Sequence, residues 1–182
     1  PLNAYGYSKL LFDEHVRRVG LTGAPRVHGL RFFNVYGPGE AHKGTMASVA
    51  SRFDAQLRAS GEVSLFEGSG GFAHGEQRRD FVWVGDAVAV VLFFLDGHGP
   101  SGIYNVGTGA SRSFHDVARA VIAHHGRGEI RYVAFPEALR AQYQHMTEAD
   151  TTRLRAAGYA ERFTTVEEGV ASYLAALEAS RG

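Results

Sequence analysis

Tyr5 and Lys9 stand four residues apart in the stretch Tyr5-Gly6-Tyr7-Ser8-Lys9-Leu10-Leu11-Phe12-Asp13-Glu14. On an α-helix this spacing puts both side chains on one face about one turn apart, where the ammonium can approach the phenol. An isolated phenol ionises near pH ~10, too high for base chemistry at neutral pH, and an adjacent cation favours the phenolate. A tyrosine held in this way can exchange protons with an alcohol. Two ordinary surface residues meet the same spacing, so the surrounding string has to decide.

Two further cations carry chemistry by their setting. Arg79, in Arg78-Arg79-Asp80-Phe81-Val82-Trp83-Val84-Gly85-Asp86, precedes a short apolar strand, and a guanidinium can grip a phosphate through two parallel N–H bonds. The alternative is a structural pairing with Asp80 or Asp86. Lys43, in Gly39-Glu40-Ala41-His42-Lys43-Gly44-Thr45-Met46-Ala47-Ser48, taken by itself is a solvated loop lysine near a phosphate. The stretch Phe66-Glu67-Gly68-Ser69, taken by itself, is a glycine-containing turn. Asn105-Val106-Gly107-Thr108-Gly109 fails as a dinucleotide fingerprint. Arg112 stands where a third glycine is needed for close packing, and the acidic residue would have to be Glu129, which begins a strand. His124 and His125 are adjacent instead of one helical turn apart, so no metal site is expected.

These residues need a folded scaffold, and the composition suits one. Of 182 residues, 45% are hydrophobic and 21% charged, the balance of a globular chain able to bury a core. Nineteen basic and nineteen acidic residues cancel, so there is no overall field for nucleic acid or an anionic membrane surface, and a small molecule is the expected partner. Without cysteine there is no disulfide and no thiolate metal site. No apolar run is long enough to span a bilayer, and the N-terminal residues lack a basic-then-apolar signal pattern; the expected location is cytoplasmic.

The periodicity predicts a first helix through Leu10, Leu11, Val16 and Val19, ended by Gly20 and Gly23, then one strand over 26–35 stopped by Gly37-Pro38. An amphipathic helix over 47–60, with Val49, Phe53 and Leu57 on one face, leads to a strand over 63–66. The stretch 70–77 predicts a long mobile loop. Asp86 is expected as the N-cap of an almost wholly apolar, deeply buried helix over 87–95. A strand from Ile103, a structural turn at 105–109, a helix over 113–125, a strand over 129–135, a short helical piece opened by Pro136 and a last helix over 165–177 complete the order. The fold class is α/β.

Tyr5-Gly6-Tyr7-Ser8-Lys9, with its Leu-Leu-Phe-Asp-Glu continuation, resembles the catalytic helix of the extended short-chain dehydrogenase/reductase superfamily. Arg-Phe-Phe-Asn-Val-Tyr-Gly-Pro at 31–38 is similar to what that superfamily carries at its last parallel strands, and the Arg79-to-Asp86 string is another of its hallmarks. The segment Glu40 to Ser48 narrows the likeness. It resembles the loop and helix start of ADP-L-glycero-D-manno-heptose 6-epimerases, where a Glu-x-His-Lys-Gly run leads into Met-Ala-Ser; most nucleotide-sugar relatives lack that lysine. The resemblance runs from Pro1 to about Leu177.

The resemblance implies the C-terminal part of a Rossmann-like NAD(P)-binding fold at 1–42 and 81–108, with a smaller mixed α/β substrate-binding domain at 43–80 and 109–182. Because Pro1 to Asn3 leads directly into the catalytic-type helix and no Met opens the chain, a longer protein with a glycine-rich half upstream is expected. Tyr5 and Lys43 are implied as the catalytic residues on opposite sides of the heptose. They exchange protons with the hydroxyl on carbon six while a tightly bound NADP takes a hydride and returns it, and rotation of the ketone between the transfers inverts the centre. Lys9, Val35 and Lys43 are implied as cofactor contacts. Asn34, Thr45, Arg52, Phe66, Glu67, Gly68, Ser69, Arg79 and Tyr143 are implied around the substrate, ADP-heptose, Tyr143 being equally readable as a packing tyrosine. The family further implies a homopentamer and a step towards lipopolysaccharide core heptose. A sister nucleotide-sugar epimerase, dehydratase or decarboxylase, a cofactor-binding relic without turnover, and a non-catalytic oligomerisation fragment stand as alternatives.

Overall fold

The computed structural model describes residues 4–20, 25–140 and 143–181. Helix α1 (Ala4–Gly20) leads to strands β1 (His28–Phe32) and β2 (Asn34–Tyr36), a 3-10 turn (Ala41–Met46), α2 (Val49–Ser60) and β3 (Glu62–Phe66). Next come β4 (Arg78–Arg79), β5 (Phe81–Trp83), α3 (Val84–Leu95), β6 (Gly102–Val106), β7 (Arg112–Ser113), α4 (Phe114–His125) and β8 (Glu129–Val133). Helices α5 (Glu137–Arg140), α6 (Thr152–Ala156) and α7 (Val166–Ala179) complete the chain. The stop expected at Gly23 lies outside the described residues.

The run expected as one strand over 26–35 is two strands with different partners. β1 pairs in parallel with β6, and β2 pairs in parallel with β5. The change takes one residue: the Phe33 amide donates to the Val106 carbonyl (3.0 Å) and the Asn34 amide to the Asp80 carbonyl (3.0 Å). Asn34 therefore opens β2 directly after the divergence, with its side chain exposed. β3 pairs in parallel with β8, and β4 pairs antiparallel with β7. Parallel pairs joined through helices are the signature of α/β architecture.

Two apolar clusters hold these pairs. In the first, Phe53 and Leu57 of α2, Val63 and Leu65 of β3, Val117 and Val121 of α4, and Val166, Val170, Tyr173 and Leu174 of α7 pack together. The spacing of the α7 residues, i, i+4, i+7 and i+8, is that of one helical face. The second joins Val82, Val90, Phe94, Tyr104 and Val106 to Leu154, Tyr159 and Phe163. Each fully buried aliphatic side chain contributes about 1.5–3 kcal/mol. Helix starts are fixed by local oxygens: Ser48 caps α2, and Ser113 with Asp116 and Thr165 with Glu168 form capping boxes on α4 and α7. His124 and His125 cross-link helices, reaching Glu178 (3.2 Å) and the buried Asp54 (2.8 Å).

Three expectations need correction. The deep burial expected for α3 holds on one face only: Ala87, Val90 and Phe94 are buried, while Val88 and Leu92 are exposed and Leu95 is 73% exposed. Asp86 is not the N-cap of α3. Trp83 holds that position, and the Asp86 carboxylate, inside the first turn, accepts from the Thr164 amide (2.7 Å) and hydroxyl (2.9 Å). Nor is 70–77 a loose loop. Ser69 and Phe72 exchange backbone hydrogen bonds, Gly75 donates to the Phe66 carbonyl (2.9 Å), and the His115 amide donates to the Gly75 carbonyl (3.0 Å). The buried Gln77 adds a bond from Nε2 to the Glu67 carbonyl (3.1 Å). Among the described residues no helix is long and apolar enough to cross a membrane.

Candidate active site

A cavity of about 760 Å³ opens between β2, the 40–48 loop, α2 and β3, within the range of small-molecule sites. Of the residues singled out from the sequence, it brings together Asn34, Val35, Lys43, Arg52, Phe66, Arg79 and Tyr143. Thr45, Glu67, Gly68 and Ser69 do not line it, and neither do Tyr5 and Lys9. Gln56, Ser64, Gln77 and Phe114 line the wall as well. Nothing in their local sequence marks them out, because an amphipathic helix or a strand end accommodates each equally well.

Arg79 pairs with neither aspartate offered to it by the sequence. Asp80, fully buried, accepts from the Thr108 amide (2.8 Å), the Thr108 hydroxyl (2.7 Å), the Gly109 amide (2.9 Å) and the Ala149 amide (3.0 Å). Asp86 is engaged by Thr164. The Arg79 guanidinium instead rests 5.0 Å from the Tyr143 ring centroid and 5.6 Å from that of Phe114. Burial draws the Arg79 pKa below its ordinary value and the neighbouring Tyr143 opposes that shift, yet a guanidinium stays charged. Burial likewise raises the Tyr143 phenol, opposed by Arg79 and then Arg52. Tyr143 also packs edge-on against Phe135 (5.0 Å between centroids) and His145 (5.3 Å), so it combines the packing and lining roles.

Lys43 and Arg52 are exposed, and among the described residues neither has a salt-bridge partner. Among the described residues three cations thus face one cavity whose single carboxylate, Glu40, is already bonded. That charge balance suits a phosphorylated ligand.

Glu40 is a residue the sequence reading passed over. It is 5% exposed, and its carboxylate accepts from the Ser48 amide (2.9 Å), the Ser48 hydroxyl (2.5 Å) and the Tyr173 hydroxyl (2.8 Å). The local signal was an acidic residue opening a loop that ends in a helix-capping serine; the third donor comes from the far end of the chain. Burial, with Glu40 beside it, pushes the Tyr173 phenol up to about 12, against a lowering contact from Ser51.

The segment that carries Tyr143 is fastened from below. Arg78 donates its amide to the His145 carbonyl (2.8 Å) and accepts from the Thr147 amide (3.2 Å), while Ala149 is held by Asp80. Ser69 reaches the same segment through a hydroxyl 2.9 Å from His145 Nε2.

On α1 the expected same-face geometry is present: Lys9 Nζ lies 5.1 Å from the Tyr5 ring centroid. Tyr5 is 72% exposed. Asp13 ties the helix to β1 by accepting from Arg31 Nε (2.6 Å).

The chain matches the NAD dependent epimerase/dehydratase family over residues 1–107. It is 56% identical over 177 residues to the ADP-L-glycero-D-manno-heptose-6-epimerase of Alkalilimnicola ehrlichii, covering 97% of this chain and 55% of that protein. It is 54% identical over 189 residues to the enzyme of the same name from Thiobacillus denitrificans, covering 96% and 57%. The crystal structure of the Helicobacter pylori ADP-L-glycero-D-manno-heptose-6-epimerase superposes with a TM-score of 0.80 at 31% identity, over 98% of this chain and 52% of that one. The chain thus spans about half the length of the curated relatives it matches. The α/β class expected from the sequence, part of a Rossmann-like fold, is the one found. Both by its matched residues and by its parallel architecture, the chain belongs to the NAD dependent epimerase/dehydratase family.

Proposed function

We propose that this chain is the part of an ADP-L-glycero-D-manno-heptose 6-epimerase that binds the nucleotide sugar and supplies two proton-transfer groups, Tyr5 and Lys43. The observation that carries the reading is the cavity walled by Arg79, Arg52 and Lys43 without a free carboxylate. Its support is the likeness, at 54–56% identity, to proteins of that name.

In this reading Arg79, braced on Tyr143, binds the diphosphate with Arg52 at the cavity mouth. Phe66 holds the nucleotide end and Asn34 contacts the sugar; Thr45 and the Glu67-Gly68-Ser69 turn, which stand off the cavity wall, are assigned to the ligand by the family likeness alone. The proposed division is into nucleotide-binding (1–42 and 81–108) and substrate-binding (43–80 and 109–182) parts, and both apolar clusters bridge it: Tyr36 and Phe81 join the first, and Leu154, Tyr159 and Phe163 the second.

The residues fit one end of a nicotinamide dinucleotide. Val35 lies on the cavity wall, and the Lys9 ammonium sits beside Tyr5 on an exposed helix face, a setting suited to a ribose and a nicotinamide. Nothing in the sequence forms the glycine turn that would take the pyrophosphate. The proposed cofactor is NADP, which when bound accepts and returns a hydride. Catalysis is therefore proposed for the complete protein, as a homopentamer, and not for these residues alone; micromolar NADP binding by the isolated chain would overturn that division.

Inverting a carbon by oxidation and re-reduction presents its two faces in turn, so its oxygen lies near different groups in the two transfers. Tyr5 takes or returns the hydroxyl proton in one orientation and Lys43 in the other. In the complete protein Lys43→Met should lower interconversion of the two ADP-heptose epimers roughly 10²- to 10⁴-fold while sparing nucleotide binding. A 6-aldehyde analogue, whose dismutation reports oxidation and reduction without inversion, measures what remains. Near-normal interconversion by Lys43→Met would make Lys43 incidental, as in a sister nucleotide-sugar enzyme.

A further inference from the structure

The turn that carries Lys43 has no packing of its own. None of residues 41–46 is buried, so the apolar core does not fix its position. Gly44, directly after Lys43, has φ 52° and ψ −121°, a conformation that L side chains rarely adopt. Two backbone bonds shape the turn internally, from Lys43 to the Glu40 carbonyl (2.9 Å) and from Ala47 to the Gly44 carbonyl (3.1 Å). These set its curvature without fastening it to the rest of the molecule.

The fastening is the Glu40 side chain. Its two oxygens receive both polar hydrogens of Ser48, which closes the loop end to end, and the hydroxyl of Tyr173, which anchors it to α7. Tyr173 is 1% exposed and belongs to the first apolar cluster, so the anchor point is rigid. Ser48 also caps α2 by accepting from the Ser51 amide (3.3 Å). Bonds to an ionised carboxylate are about twice as strong as neutral ones, and a buried carboxylate stripped of donors is costly. The loop is therefore held by one charged group on the cavity wall that is 5% exposed and whose two oxygens are already taken up by three donors.

We propose that Glu40 is the positioning residue for Lys43, fixing the ammonium at the cavity through the Ser48 and Tyr173 clamp; this rests on the proton-transfer role of Lys43 given above. A merely structural carboxylate would lower stability and slow every variant by the same factor. A positioning residue acts through Lys43, so its loss disappears once Lys43 is gone.

The test is a double-mutant cycle in the complete protein, reading kcat and KM for interconversion of the ADP-heptose epimers. Glu40→Gln should lower kcat by roughly 10- to 100-fold, the scale of misplacing a catalytic group by about 1 Å, with KM changed by less than about threefold. Combined with Lys43→Met it should add nothing to the residual rate of the single Lys43→Met variant. A wild-type rate for Glu40→Gln, or a double variant slower than Lys43→Met by the full Glu40→Gln factor, overturns the proposal and leaves Lys43 untouched. A wild-type rate for Lys43→Met overturns the role of Lys43 itself, and this proposal with it. Tyr173→Phe keeps the ring and removes one donor, which guards against a Glu40→Gln protein that does not fold. It should lower kcat several-fold in the wild-type background and leave the Lys43→Met rate unchanged; equal effects in both backgrounds refute positioning.

Discussion

Arg79 faces the ring of Tyr143 across 5.0 Å, and among the described residues it has no carboxylate partner. A guanidinium over an aromatic face gains roughly 0.5–2 kcal/mol, depending on desolvation. Nη1 donates to the Arg78 carbonyl (2.8 Å) and Tyr143 lies alongside, which fixes the guanidinium and leaves the rest of the fork for a ligand. The charge is half-buried and unneutralised, which is the state in which an incoming phosphate gains most.

Arg79→Lys tests this directly. An ammonium is a point charge that cannot both lie over Tyr143 and bond two oxygens. In the complete protein the KM for the nucleotide sugar should rise roughly 10- to 100-fold, the scale of losing hydrogen bonds to a charged group. The kcat should stay within a few-fold. Tyr143→Phe, which keeps the ring, should change KM far less. Equal losses in kcat and kcat/KM for Arg79→Lys would move its role from ground-state binding to the transition state.

Asp80 is the stability counterpart of Arg79. Four donors converge on a carboxylate with no exposure, joining β5 to the 107–109 turn and to the segment after Tyr143. In Asp80→Asn a donor NH₂ group faces donors, and leaving such buried groups unsatisfied costs about 1–3 kcal/mol. Gly107→Ala should injure the same junction, because its Cβ would meet the Ala149 Cβ at 2.4 Å and Asp80 Oδ2 at 2.8 Å. Urea unfolding measures both. A loss below about 1 kcal/mol for Asp80→Asn would show that the junction does not depend on the charge.

Where the sequence was legible, the signals were local. Helices α2, α4 and α7 carry an apolar face at helical spacing with a capping Ser48, Ser113 or Thr165 at the start, and Gly61 and Gly126 end two of them in the left-handed conformation. What was hidden depended on remote partners. The break at Phe33 follows from a change between Val106 and Asp80, and Asp86 is diverted from capping by Thr164, 78 residues away. Composition makes α3 apolar without saying which face is covered. In the site, the cations were readable from residue type and neighbourhood. The part of Glu40 was not, because Tyr173 lies 133 residues further on.

The exposed end of α7 gives the pH dependence a definite sign. Glu168, bonded first by Arg162 and then by Thr165, is held at about 2 against an ordinary 4.5. Its carboxylate is thus ionised in the folded state at pH values where the unfolded chain has already taken up a proton. The stabilisation is complete above about 4.5 and fades as pH falls towards about 2. The difference in melting temperature between the wild type and Glu168→Gln should be constant from pH 7 to about 5 and shrink below that. A difference that grows on acidification would contradict the assigned pairing.

Tyr5 and Lys9 share a face of α1, with the ammonium 5.1 Å from the ring centroid, yet removing either should not have the same consequence. Tyr5→Phe deletes the exchangeable proton and keeps the ring, so in the complete protein turnover should fall roughly 10²- to 10⁴-fold while NADP affinity is retained. Lys9→Met deletes the cation beside the phenol and, in the proposed reading, a contact to the cofactor. Its turnover should fall and its NADP dissociation constant should rise together. Fluorescence titration of the bound nicotinamide alongside steady-state rates separates the two patterns. Because Tyr5 is 72% exposed, neither change touches the packed core, and the melting temperature of the isolated chain should move little for both. A Tyr5→Phe protein with wild-type turnover would remove the phenol from the chemistry, and a Lys9→Met protein with unchanged NADP affinity would confine the lysine to its work on Tyr5.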